Sequence, residues 1–89
     1  MTLLQFADLV DEQLTITYYA NQNGRFCCHF DSGEIKNGAL LSTEFRNGLT
    51  PQEAMNYYAK AISGKTIVFH AMSEERRTVY RVPTLEEIK

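Results

Sequence analysis

The residues able to do chemistry in this 89-residue chain are few: adjacent cysteines at Cys27 and Cys28, and histidines at His29 and His70. Cys27 and His29 stand at i, i+2, which on a strand puts both on one face. A neighbouring strand could bring His70 alongside, giving a set of donors that zinc accepts. A structural zinc site takes four ligands at recognisable spacing, however, and no C-x-x-C or H-x-x-x-H box occurs. The plainer expectation is a surface thiol beside an exposed histidine, with no metal and no cofactor. Cys28 falls between Phe26 and Phe30 at strand spacing, a place for a small apolar residue in a core stripe. A nucleophilic thiolate wants a protonated histidine or a helix N-terminus beside it, and the pattern secures neither. A bridge between sequence neighbours would be a strained ring, so both read as free thiols of a reducing compartment.

The charged residues offer little more. Asp8, Asp11, Glu12, Glu86 and Glu87 are expected at the ends of short helical segments, solvated rather than paired for acid–base work. Glu74-Glu75-Arg76-Arg77 is a mixed cluster. Arg77 and Arg81 alternate around Val79 on one strand side, a basic strip that contacts an acidic partner or guards a sheet edge, with edge protection the first expectation. Five tyrosines exceed what a small core needs, and tyrosine favours protein contacts. Tyr19 and Tyr57 fall off their elements' apolar faces and are the tyrosines expected at the surface.

The elements that position these residues follow from periodicity. Leu3, Phe6, Ala7 and Val10 mark a short helix from Thr2 to Asp11, with Thr2 and Gln5 as a capping box. Residues 13–20 and 25–30 alternate as strands around the turn Asn21-Gln22-Asn23-Gly24, a hairpin. Asp31-Ser32-Gly33 reads as a further turn, and Ile35 as either strand or bulge. Ala39 to Phe45 reads as a third strand. Thr50 caps a helix to Ile62, with Pro51 at its first position, Glu53 completing the box and Gly64 as the stop. Ala54, Met55, Tyr58, Ala59, Ala61 and Ile62 form its apolar face. Strands follow at 65–72 and 77–82, and Thr84 caps a last helical turn. The expected fold is a single α+β domain over residues 1–89, ordered α-β-β-β-α-β-β, its mainly antiparallel strands in one sheet beneath the central helix.

Composition narrows the function. The formal net charge is −2, against the cationic surplus of a general nucleic-acid binder, so nucleic acid is not an expected partner. No apolar run approaches the ~20 residues of a membrane span, and the start lacks the pattern of a secretory signal. A cytoplasmic location is expected, with no membrane association.

Two resemblances add context. Across Leu14 to Gly64, with Gly48-Leu49-Thr50-Pro51-Gln52-Glu53-Ala54 at its heart, the chain resembles the partner-binding domain of HicB-type antitoxins. There a hairpin and third strand lead into a helix opened by a Gly-x-Thr-Pro-Glu-Glu-Ala-like motif, and the resemblance implies toxin binding and autoregulation. The family's Leu-Pro-Gly-Cys-like residues ahead of the motif have no counterpart here. The fuller pattern, that helix with Ile62-Ser63-Gly64-Lys65 and then Arg81-Val82-Pro83-Thr84-Leu85, is similar to small phage and prophage proteins. Such proteins include accessory factors that bind a host protein, anti-CRISPR inhibitors among them. The expected function is therefore non-enzymatic: a phage or mobile-element accessory protein that binds a host or cognate protein. Tyr19, Tyr57, Arg77 and Arg81 are its expected contact residues, and a homodimer through an edge strand is a further expectation.

Overall fold

A computed structural model describes residues 1–89 as two helices and seven strands: α1 (Leu3–Val10), β1 (Leu14–Tyr19), β2 (Arg25–Phe30), β3 (Gly33–Asn37), β4 (Leu40–Ser42), β5 (Arg46–Gly48), α2 (Pro51–Ile62), β6 (Thr66–Phe69) and β7 (Thr78–Arg81). The strand ladders are antiparallel, as an α+β fold of short connections requires. No helix is long and apolar enough to cross a membrane.

Both helices start where their capping residues dictate. Thr2 Oγ1 accepts from the Gln5 N–H at 3.3 Å while the Gln5 side chain accepts from the Thr2 N–H at 2.8 Å, so two donors left over by the first turn of α1 are satisfied reciprocally. At α2, Thr50 Oγ1 accepts from the Glu53 N–H at 3.0 Å behind Pro51. The Glu53 carboxylate accepts from the Leu49 N–H at 3.2 Å rather than from Thr50, closing the box one residue upstream of its expected place. Ala54, Tyr58, Ala59 and Ile62 are the buried stripe of α2. Gly64 takes the left-handed conformation, φ 75°, and its N–H bonds the Val82 carbonyl at 2.9 Å, stopping the helix as the sequence predicts.

The strands do not form the one sheet expected. They divide into a three-stranded sheet, β1-β2-β5, and a four-stranded one, β4-β3-β6-β7. The cause is a slip of alternation at Asp31–Ser32. Phe30 points inward, and so do Gly33 and Ile35, so two residues intervene where strict alternation allows one. That extra residue bends the strand, as a bulge does. A Cβ at Gly33 would lie 2.9 Å from Phe30 Cβ and 3.0 Å from Ile67 Cδ1, so the inside of the bend has no room for one. The facing chain breaks in the same region: residues 43–45 leave the ladder, so the expected third strand, Ala39 to Phe45, shortens to β4, and β5 forms beyond it at residues read as the approach to the helix. β3 occupies residues read partly as turn.

The bend strands a backbone donor. The Asp31 N–H bonds the Gln13 carbonyl on the β1 side at 2.9 Å, so by alternation the Phe30 N–H faces the opposite edge, where residues 43–45 have left. The Tyr58 hydroxyl takes their place and accepts from the Phe30 N–H at 3.2 Å, inside the core. Helix α2 packs on β2 and β5. At Gly48 the approach is backbone to backbone, since a Cβ there would lie 2.5 Å from the Ala54 nitrogen.

Two other expectations are corrected. β6 stops at Phe69 because His70 is left-handed, φ 53°, a conformation that does not continue a strand; Ile67, Val68 and Phe69 are buried on both faces. Thr84–Glu87 forms no helical turn. It lies extended, with a parallel bridge between Thr2 and Glu86. Beyond it, the Ile88 carbonyl accepts from Gln52 Nε2 at 2.6 Å, and the Ile88 N–H donates to Asn56 Oδ1 at 2.8 Å. A core of fourteen buried residues draws on both helices, both sheets and this tail.

Candidate functional site

Edge strands are where a small sheet protein meets other chains, because one row of N–H and C=O groups there lacks a ladder. Four strands here are terminal: β1 and β5 in one sheet, β4 and β7 in the other. β4 and β5 have three residues each, and β5 carries Arg46. β7 ends in Arg81, with Arg77 just before it, both exposed. Short or charged, these three resist pairing. β1 differs: six residues, Leu14-Thr15-Ile16-Thr17-Tyr18-Tyr19, without a charge or a proline.

Its geometry follows from the register. Leu14, Ile16 and Tyr18 pair with Phe30, Cys28 and Phe26 on the inward face, but in this sheet α2 packs chiefly on β2 and β5. Ile16 therefore stays 38% exposed and Tyr18 56%. Tyr18 is steadied against Phe26, ring centroids 5.0 Å apart. The Gln13–Asp31 bond directs the groups of residues 13, 15, 17 and 19 at β2, which leaves the N–H and C=O of Leu14, Ile16 and Tyr18 on the open edge. The result is a strand with both apolar side chains and backbone groups free.

The four expected contact residues lie on three separate elements. Tyr19 ends β1 on the outward face, 39% exposed and so less open than Tyr18. It lines a hollow of about 300 Å³ with Gln22, Cys27, Phe45 and Asn47. Tyr57 stands half exposed on the flank of α2. Arg77 and Arg81 flank the exposed Val79 at the β7 edge of the other sheet.

Of the weak metal candidates, Cys27 is buried at the floor of that hollow, not the surface thiol expected; its partners across the ladders, Thr17 and Asn47, share its face. Burial pushes its thiol pKa up. His29 and His70 do converge, on a cleft of about 430 Å³ at the bend that Asp31, Glu34 and Thr43 also line. His29 Nδ1 lies 2.9 Å from the Phe30 carbonyl. His70 Nε2 lies 2.9 Å from Glu12 Oε1, both side chains largely buried, so Glu12 is a partner for His70 rather than a solvated helix-end acid. No group of three or more His, Cys, Asp or Glu side chains is placed to hold a metal ion. Cys28 is fully buried, and burial, with Cys27 beside it, pushes its thiol pKa up to about 12. It stays protonated at neutral pH.

Ile16 and Tyr18 share the apolar phase of their strand, which in sequence is indistinguishable from a core-facing stripe. The available signal was the contrast in charge between Leu14–Tyr19 and the Arg-bearing segments. No protein-family model, curated protein or solved structure matches this chain.

Proposed function

We propose that this chain is a non-enzymatic accessory protein of a phage or other mobile element, which binds a host or cognate protein and modulates it. The observation that carries the binding part is β1: an uncharged six-residue edge with Ile16 and Tyr18 uncovered and its backbone groups free. A strand of the partner adds to such an edge through main-chain hydrogen bonds, and alternate side chains supply selectivity. The link to mobile elements rests on the resemblance carried by Gly48–Ala54, Ile62–Lys65 and Arg81–Leu85.

The test is affinity capture from host lysate with the wild-type chain and with Ile16→Lys, which places a charge on the edge at a partly exposed position, its fold checked by circular dichroism. The expected outcome is a specific protein retained by the wild type and lost by the variant. Equal capture by both, or no specific partner together with turnover of a small molecule, overturns the proposal.

A second reading is a HicB-like antitoxin or regulator. It draws support from the Gly48–Ala54 motif, which forms a tight β5–α2 junction in the chain. It calls for a toxin encoded beside the gene and, for its nucleic-acid part, a mobility shift that weakens with salt. Absence of a shift at low salt removes that part.

A further inference from the structure

We infer that the free β1 edge also pairs with a second copy of this chain, antiparallel and centred on Ile16, as a weak two-fold dimer that competes with the partner. This rests on reading β1 as the open edge.

Parity selects the register. If two copies form one continuous sheet about a two-fold axis perpendicular to it, inward residues must face inward residues. Of the positions that satisfy this, Ile16 opposite Ile16 pairs residues 14–18 of the strand and leaves out Tyr19 alone: Leu14 then faces Tyr18 of the other copy, and Thr15 faces Thr17. The hydrogen-bond phase agrees independently. The groups pointing outward belong to Leu14, Ile16 and Tyr18, as the Gln13–Asp31 bond requires. In this register each N–H among them meets a C=O of the same set on the other copy. Centring on Thr17 instead would place on the axis a residue whose backbone groups are already bonded to β2.

Charge permits the approach. β1 contains no acidic or basic side chain, so like charges do not meet across the axis. The other edges cannot self-pair on these terms, since β7 would bring Arg81 and Arg77 into a shared strip and β4 and β5 are short. On the inward side, Ile16, Tyr18 and their symmetry mates would cover surface that α2 leaves open.

Area limits the strength. Ile16 and Tyr18, 38% and 56% exposed, offer on the order of 200 Å² of side chain per copy. With the strand edge added, the contact stays well under the ~1,200 Å² at the lower end of stable interfaces. The dimer is therefore concentration-dependent and displaceable by a partner strand that fits better.

The experiment is sedimentation or light scattering of the full chain from about 10 μM to about 1 mM, with two cysteine variants. The expected mass climbs from 10.2 kDa toward twice that value, while Ile16→Lys, with an unchanged circular dichroism spectrum, stays monomeric throughout. In a glutathione redox buffer, Ile16→Cys forms a disulfide dimer and Thr17→Cys does not, because a hydrogen-bonded antiparallel pair sets Cα atoms ~5.5 Å apart, within disulfide reach. A mass fixed at the monomer up to 1 mM overturns the inference, as does cross-linking through Thr17→Cys in preference to Ile16→Cys. Failure here is distinguishable from failure of the proposed function: a monomer that still captures a partner through Ile16 keeps the function and loses the dimer, and a dimer without any partner does the reverse.

Discussion

Replacing Tyr58 with phenylalanine removes one oxygen atom from the core and leaves the ring. Phe30 and Tyr58 keep their edge contact, with centroids 6.0 Å apart, so packing changes little. The Phe30 N–H loses its only acceptor, the hydroxyl at 3.2 Å, and residues 43–45 are not placed to replace it. An unpaired buried donor costs about 1–3 kcal/mol, partly offset because the hydroxyl no longer has to be buried. The expected net loss for Tyr58→Phe is about 1–2 kcal/mol, which for a domain of this size lowers Tm by about 4–16 °C. Urea unfolding followed by circular dichroism measures it, with the m-value unchanged because the surface exposed on unfolding is the same. Hydrogen exchange supplies a local readout, since the Phe30 amide should exchange faster in the variant. A third readout is alkaline pH. Burial pushes the Tyr58 pKa up to about 12 from 10.0, so between those values the folded chain holds a proton that the unfolded chain has released. Stability is whole below pH 10 and falls as pH rises through 12. Cys28, raised from 9.0 to about 12, adds a loss that begins lower; Tyr58→Phe should remove the tyrosine part and keep the thiol part. Stability within about 0.3 kcal/mol of wild type, with Phe30 exchange unaltered, would refute the role given to this hydroxyl.

Other expectations follow from single positions. Gly48→Ala places a methyl 2.5 Å from the Ala54 nitrogen, and because backbone meets backbone the helix must shift; a loss at or above the ~1–3 kcal/mol of ordinary overpacking is expected in denaturant titration. Thr50→Ala removes the acceptor for the Glu53 N–H and should cost about 1 kcal/mol in the same assay. At pH 8 the folded chain should react with iodoacetamide far more slowly than the urea-unfolded chain, Cys28 slowest of all, since burial raises both thiols; mass spectrometry of the labelled peptides reads this out. Tyr57→Ala and Arg81→Ala, both at exposed positions, should leave stability within about 0.5 kcal/mol.

The helices were the most legible elements because their signals are local. Thr2 with Gln5, Thr50 with Pro51, and Gly64 each act within one turn, and each does in the structure what its residue type implies. The first hairpin was legible for the same reason. What escaped was non-local. Asp31–Ser32 looks like a plain turn in sequence; its effect, turning Ile35 to the same side as Phe30, exists only once both sheets share a core. The strand expected to run on to Met72 ends at Phe69, the last of the strand formers Ile67, Val68 and Phe69, because His70 turns left-handed. The extended tail after Pro83 followed from Asn56 and Gln52, more than twenty-five residues away, which hold Ile88. The candidate surface was half visible. Composition marked β1 as uncharged, but only the placement of α2 over β2 and β5 shows that Ile16 and Tyr18 go uncovered, and the expected contacts Tyr19, Tyr57, Arg77 and Arg81 proved to lie apart.

The extra residue at Asp31–Ser32 governs direction rather than side. Deleting one of the two would return the chain to strict alternation, with Gly33 and Ile35 still on the side of Phe30, but it would take away the bend. β2 and β3 would then run on as one straight strand, and the two sheets would no longer fold over a shared core. A one-residue deletion at this corner should therefore destabilise the chain even though no buried side chain changes face.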